Sequence, residues 1–485
     1  MLLVVALAAA APDDDVARAE ATRRVLDNGI DAFTGLAPEN DARAAWQLGD
    51  CQTGSAWIRE LLAAACARTA TPRWELRPTL VLDVGDATPD NVSGETVAGM
   101  VGVRAGVSGA LYAGPMVLRA APSVGFDAGP GVATVGRLDA LWVGYDKGSG
   151  WLGLGHQDRW MGAGRSGTLL LSDNAEAPWM VNGGVDGHLP GVLGKAGRFR
   201  AEVGVGLLTE PRDDVTLPGL LMMDFRWSPY PVFELGLNRL SIFAGEGRPV
   251  PDFGQLLVPS EPHLADDPDK LLPDQDELAT VVVKVNLPLQ KWIGAPFGHL
   301  SGWWEYGGED MIVPETDGLD FPQLAGVGNQ YGGELAMGPV VVTGEYTRLM
   351  DDLFRWYVGH RVYHEGFTQN GRVLGHYGGP DSETYAGRVS VWGDTWRARA
   401  WGDHVRRVGV IDVRADAVVA LLTEEEQWRG GLGADVLVEG WWLSGGYTLT
   451  SVEGANFTAG NDRVRHQVSV AVSVGGVGGS VKPRD

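Results

Sequence analysis

Val101-Gly102-Val103-Arg104-Ala105-Gly106-Val107-Ser108 alternates apolar side chains with glycine, arginine and serine. Successive residues of a strand point to opposite faces, so the valines share one face and Arg104 and Ser108 the other. The same period runs upstream, where Trp74, Leu76, Pro78, Leu80, Leu82 and Val84 alternate with Arg73, Glu75, Arg77, Thr79, Val81 and Asp83. It recurs downstream at Val281, Val283, Val285 and Leu287 around Val282, Lys284 and Asn286, and at Val340 and Val342 opposite Val341, Thr343 and Glu345. It recurs last at Val468, Val470, Val472 and Val474 around Ser469, Ala471 and Ser473. A propeller would repeat every ~40–50 residues, and no such repeat is found. A soluble sandwich turns its apolar face inward, whereas a transmembrane barrel turns it to lipid and lines its lumen with small or charged residues. Arg104, Arg397 and Arg399, each inside a strand-like run, fit a lumen. Trp303-Trp304 and Trp441-Trp442 fit interfacial girdles. The polar connection 262–277, with His263, Asp266, Asp267, Asp269, Asp274 and Asp276, fits a loop at one barrel end. The fold expected is all-β, a transmembrane antiparallel barrel over residues 72–480.

Composition agrees. Of 485 residues, 44% are hydrophobic, enough for a large core, while 70 glycines and 18 tryptophans favour strands over long helices. A net charge of −23 repels nucleic acid and argues against a basic patch on anionic lipid. Residues 1–11 are apolar and small, too short to span a bilayer, and read as a signal peptide cut after the Ala8-x-Ala10 pattern. With no later uncharged run of spanning length, any membrane residence must be as a barrel. Residues 12–70 read as a small N-terminal α-helical bundle, with Asp13-Asp14-Asp15 at a helix start and Asn28-Gly29 as a stop. A helix over residues 56–68, capped by Ser55, puts Cys66 about 15 Å from Cys51, so separate thiols are expected rather than a disulfide.

One motif points elsewhere. Gly162-x-Gly164-x-x-Gly167 fits a dinucleotide fingerprint, but that reading needs a strand before it and a helix after it. Thr168-Leu169-Leu170-Leu171-Ser172 and the turn-prone Asp173-Asn174 follow instead. The glycines read as close-packed barrel backbone, with Arg165 and Asn174 as polar wall. Glu309 and Asp310 are adjacent, so on a strand they face opposite ways and cannot flank a glycosidic bond together; a strand-end turn or pairing with Arg372 is expected. His360 and His364 share a strand face around Val362 without a third ligand, and no H-E-x-x-H or G-x-S-x-G occurs. No catalytic residue, metal or cofactor is expected. The chain end, residues 475–485, lacks a terminal Phe or Trp, so the last strand ends near Val474 or carries a non-standard assembly signal.

Ordered blocks then add a resemblance. Gly162-x-Gly164-Arg165-x-Gly167 through Leu171-Ser172-Asp173-Asn174-Ala175 resembles the signature of the Wzi-type capsule-assembly proteins. So do Phe233-Glu234-Leu235-Gly236-Leu237-Asn238-Arg239 with Ala244-Gly245-Glu246-Gly247-Arg248-Pro249, and Gly308-Glu309-Asp310 with Pro314 and Leu324-Ala325-Gly326. Glu345-Tyr346-Thr347 and Gly371-Arg372-Val373-Leu374-Gly375-His376 with Gly379-Pro380-Asp381-Ser382 complete the series over roughly residues 140–390. Asp173 and the tail depart from the family pattern. The resemblance implies a barrel of about eighteen strands with a small periplasmic helical bundle. It implies a non-catalytic outer-membrane lectin that retains exported, capsular polysaccharide at the surface of a Gram-negative cell. Outer-membrane lipid is the other partner, and a monomer is expected. A porin-like diffusion channel is the alternative, an outer-membrane enzyme the third reading.

The candidate polysaccharide-binding residues are Arg165, Asn174, Arg239, Glu309, Asp310, Arg372, His376, Asp381, Trp356 and Tyr377. Arginines meet acidic sugars by bidentate bonds, and Trp179, Trp356, Tyr357, Tyr363 and Tyr377, near turns, offer rings for stacking. The structural alternative has Arg165, Asn174 and Arg239 satisfying one another inside the wall.

Overall fold

A computed structural model describes residues 73–85, 101–113, 115–128, 133–147, 149–188, 196–252, 254, 256, 275–289, 298–312, 323–350, 355–410, 421–474 and 477–480. The expected signal peptide, the helical segment with both cysteines, and most of the acidic 262–277 connection lie outside the described residues.

In chain order the strands are β1 (Arg73–Gly85), β2 (Val101–Ala113), β3 (Met116–Ala128), β4 (Ala133–Asp146), β5 (Gly150–His156), β6 (Trp179–His188) and β7 (Arg198–Leu207). They continue with β8 (Gly219–Tyr230), β9 (Phe233–Phe243), β10 (Gln275–Leu287), β11 (His299–Ile312), β12 (Gln323–Met337) and β13 (Val340–Arg348). The short β14 (Thr368–Gln369) and β15 (Arg372–Val373) form a separate hairpin. The rest are β16 (Ser382–Trp392), β17 (Trp396–Val410), β18 (Leu421–Val438), β19 (Trp441–Glu453), β20 (Arg463–Val474) and β21 (Val477–Ser480).

Neighbours in sequence pair antiparallel, and β13 pairs with β16, the β14–β15 hairpin standing outside the sheet. β1 closes the sheet, with Thr79 opposite Ser473 on β20 and Arg73 opposite Ser480 on β21. β20 and β21 are therefore two pieces of one closing strand, and the 19 strands of the sheet make an 18-stranded closed barrel. The closing edge runs on to Ser480 beyond Val474, because β1 still offers backbone partners there.

The faces are inverted relative to a soluble protein. Val107, Leu152, Leu154, Val181, Val205, Leu237, Leu432 and Val470 point outward and are exposed, while Arg104, Asn182, Glu202, Arg226, Lys284 and Glu334 point inward and are buried. Leaving that much apolar surface in water would be unfavourable at ~25 cal/mol per Å²; lipid removes the cost. Arg397, facing the lumen, donates to Asp435 at 2.8 Å, with Arg399 3.9 Å from the same carboxylate.

Aromatic residues mark two levels of the outer face. Trp304, Tyr331, Tyr346, Tyr385, His404 and Trp428 are direct partners on consecutive strands from β11 to β18. Their ring centroids are 6.4, 6.4, 4.8, 6.3 and 4.1 Å apart in turn. Tyr145, Tyr230, Trp396 and Trp441 sit exposed beside tight turns at the opposite level. Of the two tryptophan pairs, only Trp304 and Trp441 are exposed to the outside; Trp303 alternates inward and is buried.

The connections divide into two ends. The connections from β2 to β3 and from β4 to β5, and the tight turns at 231–232, 338–339, 393–395 and 439–440, lie at the end where the chain enters at Arg73 and leaves at Ser480. Connections 157–178, 208–218 and 349–381 lie at the other, the loop end. Of these, 157–178 and the described part of the second long connection, 355–381, fold into the lumen. Met161, Leu169, Leu170, Leu171, Trp356, Tyr357, Tyr363, Phe367 and Leu374 pack there against Met180, Leu220, Met222, Leu240, Ile242 and Leu278 of the wall. This apolar cluster plugs the loop end.

Candidate functional site

The Gly162–Ala175 stretch lies in the first plug loop and is not part of the wall, because its backbone groups bond inward-facing side chains of β11 to β13. The backbone N–H groups of Arg165 and Ser166 donate to Glu345 Oε1 and Oε2, each at 2.6 Å, and the Ser166 hydroxyl donates to the same carboxylate. Trp303 Nε1 donates to Glu345 Oε1 at 3.2 Å. Arg165 Nε donates to Glu334 Oε2 at 3.1 Å, and its guanidinium stands 5.2 Å above the Trp303 ring. Gln330 Nε2 donates to the Gly167 carbonyl at 2.9 Å. A Cβ on Gly164 would meet the Gly167 carbonyl oxygen at 2.0 Å and Gln330 at 2.4 Å; one on Gly167 would meet His376 at 2.7 Å. The glycines thus serve close approach of backbone to wall, as phosphate-cradling glycines do, but no ligand is needed to explain them.

The second plug loop closes on the first. Ser172 N–H donates to the Leu374 carbonyl at 2.8 Å and its hydroxyl to Gly375 at 2.6 Å. Asn174 Nδ2 donates to the Val373 carbonyl at 2.9 Å. Tyr357 donates its hydroxyl to the Leu169 carbonyl at 2.7 Å and accepts from His376 N–H at 2.8 Å. His376 Nδ1 accepts from Gly378 N–H at 3.1 Å, and its ring stacks on Tyr377 at 4.5 Å. Burial, with nearby Arg407, lowers the His376 pKa to about 3, so the imidazole is neutral.

Loop 208–218 is tied in by Arg212. Its Nε and Nη2 donate to the two Asp214 oxygens at 2.9 and 3.0 Å, and Nη2 also donates to the Gly366 carbonyl at 3.0 Å. Asp214 Oδ2 accepts from Glu365 N–H at 2.9 Å. Burial would raise the Asp214 pKa, but the bonds from Arg212, Val215 and Glu365 prevail and hold it below the usual carboxylate range.

The candidate residues divide accordingly. Arg165, Asn174, Trp356, Arg372, His376, Tyr377 and Asp381 are all plug residues. Arg165, Asn174 and Arg239 bond other partners than the structural alternative supposed: Arg165 donates to Glu334, Asn174 to the Val373 carbonyl, and Arg239 on β9 to Glu277 and the Leu256 carbonyl, the last at 2.7 Å. Glu309 lies within β11 at a β-bulge and not at a strand-end turn, because two register shifts flank it. The Asp310 side chain lies outside those described. Arg372 Nη1 donates to the Asn174 carbonyl at 3.5 Å, and Arg355 donates to Asp381 at 2.7 Å. His360 and His364 lie in turns and not on a strand face, since Gly359 and Gly366 take φ of +100° and +60°. His360 Nδ1 accepts from Val362 and Tyr363 N–H, both at 3.2 Å. Trp356, Tyr357, Tyr363 and Tyr377 are buried, so their faces are spent on packing; Trp179 is exposed at the start of β6. Among the described residues no cluster of three or more His, Cys, Asp or Glu is placed to hold a metal.

Sequence reasoning missed the anchors Glu334, Glu345, Gln330 and Trp303. Their inward parity was readable, but not what they hold. It also missed the hairpin of β14 and β15, although Asn370-Gly371, with φ of +51° and +74°, is a two-residue turn signal.

Residues 90–263 match the family model of the capsule assembly protein Wzi. No curated protein matches by sequence. Among solved structures, the chain is similar to Wzi of Escherichia coli, described as an outer-membrane protein involved in group 1 capsule assembly and a carbohydrate-binding β-barrel. Identity is 15% and the TM-score 0.67, over 98% of this chain and 99% of that one. Acinetobacter baumannii OccAB2 follows at 10% identity and a TM-score of 0.48, over 85% and 98%. The likeness to the Wzi-type capsule-assembly family, first read from ordered sequence blocks, is thus met by a family-model match over residues 90–263 and by a barrel of the Wzi fold.

Proposed function

We propose that this chain is a non-catalytic outer-membrane barrel that holds an exported, capsular-type polysaccharide at the cell surface. The observation that carries the reading is the closed loop end. A diffusion channel needs a continuous wet lumen, whereas here an apolar cluster of two loops occupies the lumen at the loop end and turns that end into a surface. The family match and the lipid-compatible outer face support the same placement. Of the ten candidate residues, eight are buried and Arg372 is half-buried. Their proposed part is to hold the platform, with Arg372 closest to a contact role. The exposed Asp213, Arg361, His364 and Asn370 on the adjoining turns supply charge and hydrogen-bonding groups for sugar hydroxyls.

Cells lacking the protein are expected to synthesise the polymer undiminished but shed it into the medium. Unchanged retention overturns the proposal. Steady conductance of the reconstituted protein would replace it with the channel reading.

A further inference from the structure

Antiparallel neighbours send successive connections to opposite barrel ends, and charge is divided unequally between them. Nine connections fall at the loop end: 86–100, 129–132, 157–178, 208–218, 244–274, 313–322, 349–381, 411–420 and 454–462. Together they carry 26 Asp and Glu against 9 Lys and Arg. The eight at the turn end carry two acidic residues against three lysines. Most of the net charge of −23 therefore stands on the side where the plug makes a surface.

The arginines that could offset this surplus are largely committed. Arg165 holds Glu334 at 3.1 Å, Arg159 lies 3.3 Å from Glu202, Arg212 forks onto Asp214 at 2.9 and 3.0 Å, and Arg355 donates to Asp381 at 2.7 Å. Arg248, Arg361 and Arg372 share the described turns with the carboxylates of Glu176, Asp213, Glu246, Asp252 and Glu365, all exposed or half-buried. The bidentate meeting of arginine with an acidic sugar, expected from sequence, is thus answered inside the protein, by its own carboxylates.

A polymer that repeats an acid group along its length meets the surplus at every unit brought within the ~8 Å screening length of physiological salt. Like charges set against each other cost affinity and slow encounter. Hydroxyls are donors, and exposed carboxylates are acceptors for them. Asp213 and Glu246 stand exposed on adjoining turns, joined where Glu246 N–H donates to the Thr216 carbonyl at 2.9 Å. Asn370, exposed on the β14–β15 turn, adds an amide.

We propose that the polysaccharide held by this chain is free of carboxylate, phosphate and sulfate groups and is recognised through its hydroxyls. The inference rests on the retention reading above; the division of charge does not.

The test takes the polymer from the medium of cells lacking the protein. It is expected to pass unretained through an anion exchanger at neutral pH and to contain no uronate, phosphate or sulfate. The full chain folded in detergent micelles is then titrated with that polymer by calorimetry. Affinity is expected to stay within about threefold between low and high salt and to survive a chelator of divalent cations, since no charge is being screened or bridged. Replacing both exposed acceptors, Asp213→Ala with Glu246→Ala, is expected to weaken binding by at least about threefold, because hydroxyl partners are lost. For an acidic polymer the same pair of substitutions would relieve repulsion and strengthen it. An acidic polymer in the medium, binding that is absent or depends on salt or on divalent cations, or a double variant that binds as well or better, overturns the inference. Unchanged retention in cells fails the proposed function and this inference with it, whereas shedding of an acidic polymer fails this inference alone.

Discussion

On β8 the inward residues run Leu220, Met222, then Asp224, Arg226, Ser228 from the loop end downward; on β9 they run Ile242, Leu240, then Asn238 and Glu234. β6 does the same with Met180 followed by Asn182 and Asp186, and β7 with Glu202, Arg200 and Arg198 below Leu208. At one height around this part of the wall, a single lumen face changes from apolar to charged. The difference teaches what fills each half. Where protein occupies the lumen, wall side chains pack as in any core. Where none of the described loop residues packs on it, the same face carries paired charges such as Arg226 on Asp224 and Arg198 on Asp186, both at 2.6 Å. The opposite wall, β11 to β13, stays polar up to the plug, because there it supplies hydrogen-bond anchors.

The sharpest way to break that contrast is to cut the main anchor. Glu345→Ala leaves two buried backbone N–H groups, a hydroxyl and an indole N–H without their acceptor. Removing one partner of a buried charged network costs about 3–5 kcal/mol. That loss falls on the plug, since the wall strands keep their ladders. The wild type reconstituted in planar bilayers is expected to show no steady conductance and Glu345→Ala to show it, with protease cleavage inside 157–178 rising in parallel. A closed, protease-resistant Glu345→Ala barrel would mean that the apolar packing alone seats the loops.

The barrel itself was legible from sequence, because period-two alternation survives whatever fills the lumen. Arg104 and Arg397 on the polar parity settled which face was inside. The plug was not legible. Gly164 and Gly167 signal close approach of something, but a phosphate, a neighbouring strand and a wall glutamine ask the same of a glycine. Glu334 and Glu345 carry the parity of any lumen residue, and nothing local says that Arg165 and Ser166, far away in the chain, will meet them. One signal was present and unread: the inward parity of β8, Leu220-Met222 then Asp224-Arg226, already breaks where the plug ends. The burial of Trp356 and Tyr377 is likewise a tertiary fact, since an aromatic near a turn reads as exposed until another loop covers it.

A second comparison uses pH. His376 in the plug is neutral down to about 3, whereas a released loop exposes an imidazole of ordinary pKa, 6.5. Only the released state then takes up the proton, so the contribution of His376 to plug stability is complete above about 6.5 and falls as pH drops toward 3. By pH 5 the loss reaches about 2 kcal/mol. Hydrogen exchange of residues 355–381 is expected to accelerate between pH 7 and pH 5 while the β16 to β19 ladder stays protected. His376→Gln should flatten that dependence. An unchanged profile in the variant would assign the acid sensitivity to other groups.

The smallest effect is expected where the third loop joins the plug. Arg212 grips Asp214 with two parallel bonds and reaches the Gly366 carbonyl with the same guanidinium, so one planar side chain links 208–218 to the turn before β14. A lysine keeps the charge but not the fork, and cannot hold both Asp214 oxygens and the carbonyl in one plane. Arg212→Lys should therefore cost about 1 kcal/mol, the scale of one lost hydrogen bond. The cost should be local: exchange at 210–216 and 365–371 rises, while 160–175, seated on Glu345, does not change. Asp214, held ionised by the same bonds, adds stability that is full above its ordinary carboxylate pKa and is lost as pH falls below it. The difference between variant and wild type should accordingly shrink in acid, as protonation of Asp214 dissolves in both proteins the pair that the lysine weakens in one. Loosening that spread to 160–175 would instead make the three loops one cooperative unit, and the two halves of the lumen would then differ in cooperativity as well as in polarity.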